Sequence, residues 1–547
     1  MYNRYYIYSY IPVLLFVSFF LINYLLLNGE ADPFLATTVA QANGIIANGR
    51  LSKDFCDVSI SVAGNWNWQG HTCGYTSSLL VVPGVTLSVL SLLTGATPIV
   101  TLYIPVNALI MLLAISIIGK TLHSNILSNV SMRWLKLLAL LTFIIASTWF
   151  SVDYILGRFY TLQYHAYSLS IYVLSLAILV KYIVKHDDWR LVILHIILSF
   201  VLINIHYRAI YLVLGGLIGI ITYNILFMSR FNKQLNKLYR NLAFLAFSII
   251  ILIYFKEFFT QFVGGRLDIT KLVFSMLSYV TNFYEFSQHG QIQTPIVLPQ
   301  IILLQELFSK IFTYVTLPYI IAVLILQMRR YLLGNSTYYS HIVTSIFAYL
   351  LGSSVTVFLA YFYAYGTTSR FGINDSWLLL LVLPVSSLLW RRTGLTIVAI
   401  VSVILVGCSS ILVATSPYLR IGYTSFTPPP IDAVKSFAIY FAENISYGRN
   451  SYSTLVAGFP TAAYLYVSTS TKHFETVKSI VIYNFPNNPD YLNKHSFVVI
   501  TDVELNNGIF TDVYFSAFLP PKEIETIYKY LLQERNLIYN GALKCFN

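Results

Sequence analysis

Charge is what this chain has least of. Among 547 residues, 34 are Lys or Arg and 22 are Asp or Glu, about 10% charged in all. A soluble globular domain carries roughly 25%. With 57% hydrophobic residues and a mean hydropathy of +0.68, the chain reads as an integral membrane protein. Cysteine is nearly as scarce. Cys56, Cys73, Cys408 and Cys545 are the four present, and none stands in a CxxC pair, which excludes a zinc or redox motif of that type and a disulfide-dense scaffold. The net charge of +12 has no basic cluster behind it. It is spread over short loops, so no nucleic-acid partner is expected.

What the chain has is long apolar runs. Eleven of them have the length of a span, at 7–28, 98–119, 135–152, 164–183, 190–205, 209–228, 240–256, 308–328, 341–365, 375–390 and 395–415. Crossing a hydrocarbon core takes about 20 apolar residues in a helix. Residues 7–28 lack a small-residue cleavage site and read as a retained signal-anchor. A twelfth stretch, 75–95, is also apolar, and whether it crosses sets the orientation of everything after it.

Charge decides that question. If 75–95 does not cross, fifteen basic residues face the cytoplasm, among them Lys120, Lys185, Arg230, Arg330 and Arg392, joined only by the acids Asp187 and Asp188. If it crosses, fourteen of the fifteen move outside. The positive-inside rule favours the first arrangement. Residues 75–95 are then expected to lie in or dip into the outer leaflet, broken at Pro83-Gly84. The expected fold is a polytopic α-helical membrane protein with about eleven transmembrane helices plus one re-entrant or interfacial helix. The N-terminus is cytoplasmic and the tail extracytoplasmic. Residues 1–415 form the membrane domain, with a first outer loop at 29–97. Residues 416–547 form an outer α/β domain, balanced at ten basic and ten acidic residues. Its expected elements are a helix at 431–444, strands at Thr454–Ala457, Ser479–Tyr483 and Phe497–Ile500, and a helix at Pro521–Glu534. Of the sequons, Asn444 falls outside, whereas Asn129 and Asn335 fall inside.

Two carboxylates follow the first span directly, in Gly29-Glu30-Ala31-Asp32-Pro33. Asp32-Pro33 reads as the cap and first residue of a helix running to about Gly49-Arg50, too short to span and suited to the interface. A cap needs one acid; Glu30 beside it suggests a shared polar site. A carboxylate there suits general-base work on an acceptor hydroxyl. A phosphate leaving group would need cations opposite. Arg158, Arg208 and Arg370 all fall at outer span ends, and arginine binds phosphate with two hydrogen bonds at once. Asp153 is a neighbour for Arg158, and Asp375 for Arg370. Arg208 has no acid nearby in sequence. Trp66 and Trp68 read as interfacial anchors or as a sugar-stacking platform. Cys56 and Cys73 share the first outer loop and can pair if the outside is oxidising.

This arrangement resembles the GT-C glycosyltransferase superfamily. The resemblance rests on Glu30-Ala31-Asp32-Pro33 after the first span and on the interfacial segment ending Asn48-Gly49-Arg50. It rests also on Tyr75–Gly84 running to Leu93-Thr94-Gly95, and on the tail ending Arg535-Asn536-Leu537-Ile538-Tyr539-Asn540-Gly541, similar to an ending seen in archaeal members. It implies a polyprenyl-phosphate sugar donor, a protein, lipid or glycan acceptor at the outer membrane face, and transfer with inversion. Asp32 would be the catalytic base with Glu30 beside it. His206 and Arg208 would face the donor phosphate, with Arg370 and Arg158. The oligosaccharyltransferase branch adds an acidic motif in the second outer loop and a divalent metal. Here Gln163 and His165 stand at those positions, and the tail has no Trp-Trp-Asp-Tyr-Gly. A monosaccharide transferase with no obligatory metal is therefore expected.

The rival readings are a transporter, a haem-binding subunit and a non-catalytic assembly subunit. A transporter should show related halves or paired broken helices, and no internal repeat is evident. Haem would need facing histidines, from among His165, His195 and His206. An assembly subunit would be indifferent to loss of Asp32.

Overall fold

In a computed structural model of the chain, the described residues are 38–39, 42–43, 45–46, 49, 59–62, 66–67, 81–101, 104, 106–107, 109–110, 113–114, 117–118, 120–121, 164–184, 188–205, 208–227, 248, 318–319, 321–334, 338–365, 436–437, 440, 454–457, 479–482, 497–507, 509–510, 518–519, 521–541 and 543–546. In chain order they form β1 (Ser59–Val62), β2 (Trp66–Asn67), α1 (Val81–Thr94), α2 (Pro98–Thr101), α3 (Tyr164–Val184), α4 (Trp189–Ile205), α5 (Arg208–Phe227) and α6 (Tyr338–Tyr365). There follow β3 (Thr454–Ala457), β4 (Ser479–Ile482), β5 (Phe497–Thr501), α7 (Asp502–Asn507), β6 (Ile509–Phe510), β7 (Phe518–Leu519), α8 (Pro521–Glu534), β8 (Leu537–Asn540) and β9 (Leu543–Phe546).

Helices α3 to α6 coincide with four of the apolar runs. In α3, Tyr167–Val184 is 83% buried, and it is the one helix among the described residues long and apolar enough to cross a membrane. Helix α4 instead exposes Ile193, Leu194, Ile197 and Phe200 along one stripe, a face fit for hydrocarbon and not for water. Asp188 begins α4 by accepting from the Arg190 N–H at 3.2 Å, an acid at the positive end of the helix. Helices α5 and α6 run antiparallel and meet through glycines. A Cβ added at Gly352 would lie 3.0 Å from both Gly215 C and Gly219 Cα. Small residues at i and i+4 let the two backbones approach this closely, as in membrane helix pairs.

Two expectations about the first half of the chain change. Pro83-Gly84 does not break α1. It sits in the first turn, where proline's missing N–H has no intrahelical acceptor to serve. The helix ends at Thr94, where Gly95 adopts φ 69° and its N–H reaches Ser91 O at 2.9 Å, a left-handed cap that glycine takes without steric cost. The run at 98–119 does not open as one continuous helix. Helix α2 stops at Thr101, the chain bends at Ile104, and helix is present again at 106.

The strands form a seven-stranded mixed sheet in the order β2-β1-β4-β3-β5-β9-β8, with β6 and β7 paired separately. Strands β1, β4, β3 and β5 are mutually parallel, while β2, β9 and β8 pair antiparallel. Parallel neighbours need connections of about a dozen residues or more. The chain has 458–478 between β3 and β4 and 483–496 between β4 and β5. Strand β5 is buried along its whole length, as a central strand covered on both faces. Val498, Ile500 and Phe546 pack there with Ile524 and Leu531, which α8 presents one face apart by seven residues. Thr501 caps α7: its N–H donates to Glu504 Oε2 at 2.8 Å and its Oγ1 accepts from the Glu504 N–H at 3.1 Å, a reciprocal capping box. Strands β3, β4 and β5 and helix α8 fall where the alternating and helical patterns put them, while of the helix expected at 431–444 only 436, 437 and 440 are described, as helical. The sheet, however, takes two of its seven strands from the first loop, 59–67, so 416–547 does not hold all of it.

Candidate functional site

The first loop carries the acids, and its helix can be followed from Thr38. Residues 38, 39, 42, 43, 45 and 46 are helical, and Thr38, Val39 and Ala42 are buried, one face of a 3.6-residue repeat. Gly49, with φ 62°, lies where this segment was expected to end. The buried face meets α1: Ser88 Oγ donates to Ala42 O at 3.3 Å and to Gly84 O at 2.8 Å. Helix α1 in turn meets the start of α3, where Thr86 Oγ1 and Tyr167 OH lie 3.3 Å apart, and it packs against α4.

The bundle's own geometry says which end this is. Helices α3 and α4 are antiparallel and in register at Ser175–His195 (2.6 Å), so Tyr164 at the start of α3 is level with Ile205 at the end of α4. Arg208 opens α5 shortly after the end of α4. Antiparallel α6 is in register with α5 at the other end through Tyr223 OH and His341 Nδ1 (3.0 Å) and Ser345 and Asn224 (3.4 Å), which puts the end of α6 level with Arg208. One end of the bundle therefore gathers the first-loop helix, α1, the start of α3, the end of α4, the start of α5 and the end of α6.

Asp32, Glu30, His206, Arg158, Arg370, Cys56 and Cys73 lie outside the described residues. By sequence, Asp32 stands six residues before Thr38, His206 one residue after α4, Arg158 six residues before α3 and Arg370 five residues after α6. Each is thus close in sequence to an element that reaches this end. Trp66 is in β2, paired with Val62 at the edge of the sheet, and Trp68 lies outside the described residues. Of the three histidines considered for haem, His195 is buried between α3 and α4 with Nδ1 against Ser175 Oγ and, at 3.4 Å, Ser199 Oγ. That is a hydrogen-bonded core histidine. No cluster of three metal-ligating side chains occurs among the described residues. The tail motif 535–541 forms the β8–β9 hairpin, its Tyr539 ring against Phe437 (5.1 Å) and Tyr440 (5.2 Å), with Tyr440 OH donating to Ile538 O at 3.3 Å. Its described contacts are structural ones.

Sequence reasoning did not anticipate the polar pairs inside the bundle. Tyr172 OH lies 2.7 Å from Ser353 Oγ, which donates to Leu212 O at 2.6 Å, and the Tyr172 and Tyr349 rings stack at 5.8 Å. These join α3, α5 and α6 just below the end that bears Arg208. The only signal for them was the presence of Ser and Tyr within apolar runs.

Solved structures similar to this chain include those of two proteins. The Archaeoglobus fulgidus oligosaccharyltransferase, crystallised tethered to an acceptor peptide containing the NVT sequon, aligns over 91% of this chain and 70% of its own at 13% identity and a TM-score of 0.44. Its apo form gives a TM-score of 0.45 over the same shares. ArnT from Cupriavidus metallidurans aligns over 98% of this chain and 97% of its own, at 13% identity and a TM-score of 0.38. No protein-family model matches the sequence, and no curated protein matches it.

Proposed function

We propose that the chain is a multi-pass membrane glycosyltransferase that moves a sugar from a polyprenyl-phosphate donor to an acceptor hydroxyl at the outer membrane face. The observation that carries the reading is the gathering at one bundle end. The helix following Asp32 packs through Ala42 on α1, and α1 packs on α3 and α4 beside the start of α5, where Arg208 stands.

Chemically, Asp32 takes the proton of the acceptor hydroxyl, with Glu30 shaping the same polar site. The acceptor oxygen attacks the anomeric carbon as the bond from that carbon to the phosphate oxygen breaks, giving inversion in one displacement. The electron pair leaves on the lipid phosphate. Arg208, with His206, Arg370 and Arg158, stabilises that charge. General-base assistance of this kind is worth about 10²–10⁴-fold. No metal is required by this scheme. The N-terminus is cytoplasmic, and the first outer loop and tail share the outer side, a placement supported by β1 and β4 lying in one sheet. Cys56 and Cys73 flank the β1–β2 hairpin and close its base as a disulfide where the outside is oxidising.

The test uses full-length protein in liposomes holding polyprenyl-phosphate hexoses, supplied in turn with protein, lipid and glycan acceptors bearing free hydroxyls, with released polyprenyl phosphate as the readout. Asp32→Asn should lose turnover by at least about 100-fold while polyprenyl phosphate still raises the melting temperature. Arg208→Gln should weaken that stabilisation. Wild-type turnover in the Asp32→Asn protein would sink the proposal.

A further inference from the structure

The first outer loop is held at two places of different kinds. On the membrane side, its helix is fixed to α1 at Ala42. Away from it, β1 joins the sheet of the tail through four consecutive parallel register pairs, Ser59 with Ser479, Ile60 with Ile480, Ser61 with Val481 and Val62 with Ile482, while β2 folds back on β1. Strand β1 is thus an interior strand of a sheet built mostly from the tail, far later in the chain. The chain between the two anchors is 47–58, and 68–80 leads from the hairpin back into α1. The hairpin is thus tied through the chain both to the acid-bearing helix and to α1.

We infer that the β1–β2 hairpin is a strap through which the outer domain positions the first outer loop, and with it the carboxylates at its start, against the bundle end that bears Arg208. The strap rests on the functional reading above only for what is positioned; the pairing itself does not. The hairpin contributes no reacting group. Its role is to hold the base over the donor, where a displacement of about 1 Å can cost 100-fold in rate. The outer domain then acts on turnover and not on capture of the lipid phosphate.

Two full-length experiments test this. In a background with all four cysteines replaced by serine, Ser61→Cys with Val481→Cys should be bridged by a short bifunctional thiol reagent in membranes. Ser61→Cys with Asn540→Cys, on β8 at the far edge of the same sheet, should not be. Absence of the first bridge, or equal yield in both, overturns the strap. Second, six Gly/Ser residues inserted after Ser52 add slack without touching either anchor. The strap requires bridge yield and melting temperature to stay at wild-type values while kcat falls about tenfold or more with KM for the donor unchanged. Unchanged kcat in a protein that still bridges overturns it, since a hairpin serving only stability is indifferent to slack. If Asp32→Asn kills turnover while the slackened protein keeps it, the strap fails and the transferase reading stands. If Asp32→Asn keeps turnover, the transferase reading fails while the bridging result still judges the pairing.

Discussion

Replacing Gly352 with valine tests how the bundle is held together. A Cβ at that position meets Gly215 C and Gly219 Cα at 3.0 Å, and the Gly215 carbonyl oxygen closer still. Unstrained carbon contacts lie at about 3.5–4.0 Å, and the oxygen contact is the tightest, so α5 and α6 must part by roughly 1 Å or more. Overpacking of this size costs about 1–3 kcal/mol. The neighbouring residue, Ser353, holds Tyr172 OH at 2.7 Å and donates to Leu212 O at 2.6 Å, and these bonds stretch as the helices separate. Each is worth about 1 kcal/mol. Removing a helical glycine returns about 0.5–1 kcal/mol, which offsets part of the loss for alanine but not for valine, whose second branch enlarges the clash. The expected order of stability is wild type, Gly352→Ala, Gly352→Val, with the valine protein about 2–4 kcal/mol below wild type. Val355→Ala, on an exposed part of the same helix, serves as the control and should change little. Thermal unfolding of detergent-purified protein, followed by tryptophan fluorescence, gives the comparison. A Gly352→Val protein melting with the wild type would refute the close approach of the two helices.

In the tail, Glu504→Ala removes the side-chain acceptor of the buried Thr501 N–H, and should destabilise the outer domain by about 1–2 kcal/mol, whereas Glu504→Gln keeps an oxygen there and should cost less. Limited proteolysis of the full-length protein reads the difference. Burial pushes the Cys545 thiol from its ordinary value near 9 up to about 12. The unfolded chain therefore loses this proton first, and domain stability should fall as pH rises from about 9 to about 12, being fully present below that window. Melting temperature across that range, compared with Cys545→Ala, checks the sign; at about pH 8, just below the ordinary thiol range, native Cys545 should resist alkylation that denatured protein undergoes readily.

Much of this was legible because the signals were local. Long apolar runs gave α3 to α6 nearly to the residue, and short alternating or apolar runs in the tail gave β3, β4 and β5. The parts that were not legible depend on who pairs with whom. Ser59-Ile60-Ser61-Val62 alternates polar and apolar as a strand does, yet nothing in those four residues names Ser479–Ile482 as their neighbour. Ser175 and His195 carry no signal alone, and form a buried pair because a short connection folds α4 back on α3. Pro83-Gly84 read as a breaker because composition does not say whether a proline falls in a helix's first turn or its middle. As for the site, the sequence named the acids and arginines, and the structure supplies the elements beside them.

The distant pairing also constrains the parity of the proposed membrane crossings. Residues in one sheet lie on one side of a bilayer, so the number of crossings between β1 and β4 must be even. Between them the sequence offers eleven apolar stretches, ten of span length plus 75–95. Were all eleven to cross, the first loop and the tail would face opposite compartments and the sheet could not form. The weakest of the eleven is the one containing α1. Its 14 residues extend about 21 Å, against about 30 Å of hydrocarbon, and it ends at Gly95 with Leu92 and Leu93 exposed. Arginine and lysine placement singled out the same stretch from an unrelated physical cause, the bias of charge across the membrane. Impermeant thiol labelling in intact cells separates the possibilities: single cysteines at Gly70 and Asn487 must be labelled together or protected together, and opposite accessibility would break both the sheet and the ten-crossing topology.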